Sequence, residues 1–83
     1  MHCVVYKSLR KADTYLFVAH EDDFSALPPE LCKALGQLEK IMSLQLSAEK
    51  KLARGNAVQV LADLHETGFH LQLPPGKQVD GVN

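Results

Sequence analysis

The sequence predicts an α+β domain with two layers, a four-stranded, mainly antiparallel sheet and two helices on one face of it. Three observations support this prediction. Four short runs have the alternating or β-branched composition of strands, two further runs carry a helical apolar stripe, and the first two strands are joined by a short polar segment. The predicted order is β-β-α-β-α-β.

The first two strand candidates are residues 2–8 and 14–20. Both are rich in β-branched and aromatic side chains, and the short polar connection at 9–13 favours an antiparallel hairpin. The second strand is apolar on both faces, because Tyr15 and Phe17 alternate with Leu16 and Val18. This pattern predicts a central position in the sheet.

The other two strand candidates are residues 39–46 and 69–73. Met42, Leu44 and Leu46 alternate with polar residues in the third strand, and 69–73 alternates in the same way. Consecutive prolines at Pro74 and Pro75 end the fourth strand, since proline has no N–H for a ladder. The position of these two strands within the sheet does not follow from the pattern.

Two segments have helical features. In the first, Pro29 and Glu30 suit a first turn, and the apolar stripe ends at Gly36. In the second, Asn56 is a suitable N-cap and Gly68 a suitable end. Residues 47–55 have helical composition with few large apolar side chains, which predicts a helical turn or an ordered loop.

Length and composition define the kind of molecule. Eighty-three residues correspond to one domain, predicted over 1–75, with a flexible tail over 76–83. A net charge of −1 predicts no general attraction to nucleic acid or membrane, so any basic surface is local. Two isolated cysteines, with no signal peptide or membrane-spanning run, favour a soluble cytoplasmic protein.

The run Leu-Gln-Leu-Pro-Pro at 71–75 is the most specific of a set of features spread over about residues 2–75. The other positions in this set are Cys3, Val4, Tyr6, Thr14, Tyr15, Leu16, Asp22, Asp23, Phe24, Pro29, Glu30, Leu31, Gly36, Lys50, Lys51, Leu52 and Gly68. In these residues the chain resembles the YcgL domain family of small proteobacterial proteins. The resemblance implies a small cytoplasmic α/β domain and supplies no catalytic motif.

No set of residues predicts catalysis, a metal or a cofactor. The four histidines and two cysteines lack the spacing of zinc ligands, and Cys3 on an apolar strand is expected in the core. The acidic run 21–23 is typical of a solvated turn, and the glycines form no phosphate-binding motif. We therefore expect a non-enzymatic domain without a small-molecule ligand, although a small enzyme remains a less favoured alternative.

Two hypotheses for binding a macromolecule remain open. Basic residues in two loops could contact RNA or single-stranded nucleic acid, and they are Lys7, Arg10, Lys11, Lys50, Lys51 and Arg54. Alternatively, the domain is a protein-interaction module that uses an exposed sheet edge or an apolar strand face. The residues predicted for this second surface are Leu16, Val18, Leu71, Gln72, Leu73, Pro74 and Pro75.

Overall fold

Four antiparallel strands form one sheet in the order β3-β1-β2-β4. The computed structural model describes residues 1–47, 49 and 56–73. Its elements are β1 His2–Ser8, β2 Tyr15–Val18, α1 Pro29–Leu35, β3 Leu38–Gln45, α2 Ala57–Glu66 and β4 Phe69–Gln72. The α+β class and the predicted order of the elements are confirmed.

The central strands β1 and β2 are the ones with apolar side chains on both faces. Val4 pairs with Val18, and their side chains lie on one face of the sheet. Val5 pairs with Phe17, and their side chains lie on the other face. All four are nearly or completely buried, at 6% exposure or less. A strand with two apolar faces is stable only where both faces are covered, which places this pair inside the sheet.

The two helices lie on opposite faces of the sheet, so the prediction that both cover one face is wrong. Val60 and Leu64 of α2 pack with the face that contains Cys3 and Val5. Leu35 of α1 packs with the opposite face. Each face of the central strands is apolar and must be covered separately, which produces three layers instead of two.

The loop between β2 and α1 completes the cover on the α1 face. The Tyr6 hydroxyl accepts a hydrogen bond from the Asp22 N–H at 2.7 Å and donates one to Asp22 Oδ1 at 3.2 Å. Phe24 contacts the Tyr6 ring edge-on, with 4.9 Å between ring centroids. Asp22 adopts a left-handed φ of 61°, so the chain turns here. β2 spans Tyr15–Val18 and is shorter at both ends than the predicted strand 14–20.

Local sequence signals set the ends of α2. The Asn56 side chain caps the helix by accepting from the N–H groups of Val58 and Gln59. Gly68 follows the helix with a φ of +91°, and a Cβ at this position would lie 2.9 Å from Ala26 Cβ. Glycine is therefore required both by the backbone conformation and by the close approach of the loop.

The remaining sequence predictions concern segments only partly described. β3 begins one residue before the predicted start and ends one residue before the predicted end. Residues 48 and 50–55, in the predicted turn, and the predicted tail 76–83 lie outside the described residues. Within the described part of the chain, no helix is long and apolar enough to cross a membrane.

Candidate functional site

The exposed edge of β3 is the most extended accessible strand surface among the described residues. In the described sheet β3 pairs only with β1. All residues from Glu39 to Gln45 are exposed except Leu44, which is half-buried. Ile41 and Met42 are 43% and 49% exposed although both are large and apolar. The helix α2 packs mainly over β2 and β4, at the other side of the sheet.

Backbone geometry shows which groups of β3 point to this edge. The Met1 amino group donates to the Leu46 carbonyl, and the Leu46 N–H donates to the Met1 carbonyl, both at 2.6 Å. In an antiparallel ladder, pairs that exchange two hydrogen bonds alternate with pairs whose N–H and C=O groups point away from each other. Val4 pairs with Ser43 and His2 with Gln45. By this alternation, the N–H and C=O groups of Ser43 and Gln45 point to the free edge.

Charge divides β3 into two halves. Glu39 and Lys40 lie in the first half, and Lys40 Nζ is 3.1 Å from Glu21 Oε1. Residues 41–45 carry no charged side chain. The register also shifts between Val5 and Tyr6, which leaves Ile41 as the extra residue of a bulge. Charges and bulges discourage strand addition, so the edge is protected up to the bulge at Ile41. Within the described residues, the uncharged run that follows the bulge has neither kind of protection.

The opposite edge of the sheet, β4, is short and is tied to α2. His70 Nδ1 and Asp63 Oδ2 are 2.6 Å apart, and Gln59 Nε2 donates to Asp63 Oδ1 at 2.9 Å. The hydrogen bond from His70 lowers the pKa of Asp63. His70 also contacts the Phe17 ring edge-on, with 5.5 Å between ring centroids. This cluster joins α2 to the sheet and belongs to the fold.

A buried acceptor lies on the same face of β4. The Gln72 Oε1 atom is buried and has no hydrogen-bond partner in the described structure. Gln72 pairs across the sheet with Tyr15, which is half-buried. A single unpaired carboxamide oxygen gives no convergent set of polar groups, so it defines no binding site.

The structure brings together part of the predicted basic surface. Lys7 is half-buried on β1, whereas Arg10 and Lys11 are exposed in the first hairpin loop. Arg10 Nη1 donates to the Lys33 carbonyl at 3.0 Å, so the end of α1 lies against this loop and adds a further exposed cation, Lys33. The other predicted basic residues, Lys50, Lys51 and Arg54, lie outside the described residues.

The residues predicted for a protein-interaction surface have different locations. Leu16 and Val18 are each 1% exposed beneath α1 and its preceding loop, so no apolar face of β2 is available for binding. Leu71 packs at the margin of the same core cluster and Gln72 is half-buried, whereas Leu73 is 54% exposed. Pro74 and Pro75 lie outside the described residues. Burial of Leu16 and Val18 corrects the expected position of the surface.

Sequence reasoning did not identify the edge of β3. The alternation of Met42, Leu44 and Leu46 indicated a strand but contained no information on its neighbours. The available signal was the absence of charge over 41–45, which distinguishes this half of the strand from the other.

The described residues contain no group of three or more histidine, cysteine, aspartate or glutamate side chains able to hold a metal ion. Both cysteines are free thiols; Cys3 is buried and Cys32 exposed. Burial raises the pKa of the Cys3 thiol, which disfavours the reactive thiolate. Cys3 is therefore a core residue.

In the described residues, these features define a small three-layer domain with an antiparallel sheet and an exposed, uncharged stretch of sheet edge in β3. The chain belongs to the YcgL domain family, whose model matches residues 3–75. It is 47% identical over 75 residues to a YcgL domain-containing protein of Stenotrophomonas maltophilia, and the aligned region covers 90% of this chain and 87% of that protein. It is also 45% identical over 75 residues to Protein YcgL of Escherichia coli, with coverage of 90% and 69%.

Proposed function

We propose that this chain is a non-enzymatic protein-interaction domain that binds an extended protein segment along the edge of β3. The observation that carries the proposal is the uncharged stretch 41–45, with outward backbone groups at Ser43 and Gln45 beside exposed Ile41 and Met42. An added strand would form backbone hydrogen bonds with Ser43 and Gln45 and apolar contacts with Ile41 and Met42.

The expected location of this function is the cytoplasm. The observation that favours it is the exposed free thiol of Cys32 together with the free thiol of Cys3. Exposed thiols persist in a reducing compartment, whereas secretory compartments oxidise them.

The first test compares two Lys substitutions of similarly exposed apolar residues. Met42→Lys places a charge on the β3 edge, and Val58→Lys places one on α2, where Val58 is 55% exposed. We expect proteins captured by the wild-type chain to be lost with Met42→Lys and retained with Val58→Lys, because an edge charge blocks strand addition.

A second measurement locates the bound segment. Amide hydrogen exchange should be slowed at Ser43 and Gln45 when a captured partner is added, because their N–H groups would then be hydrogen-bonded. Retention of every partner by Met42→Lys, or unchanged exchange at both amides, would contradict the proposal.

Binding of single-stranded RNA by the basic loop is a second candidate function. It is favoured by the contact of Arg10 with the Lys33 carbonyl, which places the exposed cations Arg10, Lys11 and Lys33 in one region. In an NMR titration with mixed single-stranded RNA, we expect shifts at these residues that weaken as salt is raised. No shifts at low salt would exclude this function.

A further inference from the structure

We propose that the segment bound at the β3 edge is β3 of a second copy of this chain, paired antiparallel about Ser43. This inference rests on the proposed function, because it names the occupant of the same edge. It follows from three properties of β3: its outward backbone groups, the symmetry of its uncharged stretch and the positions of its charges.

The first property is the direction of the backbone groups. A strand can form exchanging hydrogen-bonded pairs only through residues whose N–H and C=O groups point outward, which includes Ser43 and Gln45. An antiparallel pair related by a two-fold axis at Ser43 matches Ser43 with Ser43 of the second copy. The outward groups of both copies then face each other.

The second property is the match of side chains in this register. The uncharged stretch 41–45 is centred on Ser43, so the run 42–44, which follows the bulge residue Ile41, pairs with itself. Met42 of each copy lies opposite Leu44 of the other, in the closer, non-hydrogen-bonded type of pair. Met42 is 49% exposed and Leu44 is half-buried, so two apolar cross-strand contacts form by symmetry.

The third property is the separation of like charges. Lys40 of each copy lies opposite Leu46 of the other, so the two Lys40 residues are six residues apart along the ladder, about 20 Å. This distance exceeds the screening length of about 8 Å at physiological ionic strength. The antiparallel arrangement therefore brings uncharged stretches together without placing like charges opposite each other, whereas a parallel in-register pair would oppose Lys40 to Lys40.

The register is tested by cross-linking the full chain in a Cys32→Ser background, where the remaining native thiol, Cys3, is buried. Ser43→Cys should form a covalent dimer under mild oxidation, since directly opposed residues of a hydrogen-bonded pair have Cα atoms about 5.5 Å apart, within disulfide range. Gln45→Cys is the matched control: Gln45 is also exposed, but its two copies would lie four residues apart, about 13 Å.

Sedimentation of the unmodified chain from 5 µM to 1 mM, taken as roughly the range for weak association, tests self-association itself. We expect a monomer–dimer equilibrium that Met42→Lys weakens about tenfold or more and Val58→Lys leaves unchanged. Ser43→Pro should also weaken it, because this substitution removes an outward N–H and leaves the ladder to β1 intact. Circular dichroism establishes whether each variant is folded. If Ser43→Pro is unfolded, Met42→Lys alone tests the effect of the edge on self-association.

Three results would overturn the inference: a monomer at the highest concentration, equal cross-linking of Ser43→Cys and Gln45→Cys, or a dimer unaffected by Met42→Lys. Such a result leaves the proposed function separately testable. If the chain is monomeric but Met42→Lys abolishes capture of another protein, the edge binds a different segment. If neither self-association nor capture depends on Met42, both proposals are wrong.

Discussion

Truncation of Leu16 tests whether the α1 face of β2 is a covered core face or an accessible binding surface. Leu16 is 1% exposed and packs with the cluster that contains Val4, Tyr6 and Leu35. Replacing a fully buried leucine by alanine removes apolar contacts and leaves a cavity, which costs about 2–5 kcal/mol. A domain of this length has a free energy of unfolding of roughly 4–12 kcal/mol, so Leu16→Ala should remove a large part of it.

The matched control is the same change at Leu9, which is 55% exposed. Leu9→Ala should change the free energy of unfolding by less than about 0.5 kcal/mol, because the side chain is largely in water in both states. Urea unfolding followed by circular dichroism measures both values. If Leu16→Ala and Leu9→Ala differ by less than about 1 kcal/mol, Leu16 is not covered as the structure shows, and an accessible face on β2 must be reconsidered.

Two further predictions concern the connection between α2 and the sheet. Gly68→Ala should destabilise the fold by more than about 1 kcal/mol in the same assay. The reason is that Gly68 has a φ of +91° and an added Cβ would lie 2.9 Å from Ala26 Cβ. An unchanged midpoint of urea unfolding would contradict this prediction. Asp63 has a pKa lowered by the hydrogen bond from His70, so its stabilising contribution is present above the ordinary aspartate pKa and is lost as the pH falls through the lowered value. Stability measured between about pH 6 and pH 2 should therefore fall less steeply in Asp63→Asn than in the wild-type chain, and parallel curves would show that this hydrogen bond does not stabilise the folded state.

The elements were predictable because each depends on short-range pattern. Asn56 caps α2 as expected, and Gly36 and Gly68 end helices with positive φ values. The apolar side chains on both faces of residues 15–18 correctly indicated a central strand. These signals follow from side-chain spacing, capping and backbone sterics, which act over a few residues.

The candidate site was not predictable in the same way. The sequence assigned binding to Leu16 and Val18, which the structure buries, and did not select Ile41 or Met42, which it exposes. Alternation shows that a strand has an apolar side but not which element covers that side. Exposure depends on the neighbours a strand acquires, and these come from distant parts of the chain.

By itself, the sequence determined the number, type and order of the elements, the interior position of β2 and the absence of charge over 41–45. Only the tertiary structure decided that the helices occupy opposite faces and that β3 lies at an edge. The physical reason is that periodicity and capping are local properties of the chain. Layer and edge positions depend instead on how apolar surfaces from distant segments are buried together.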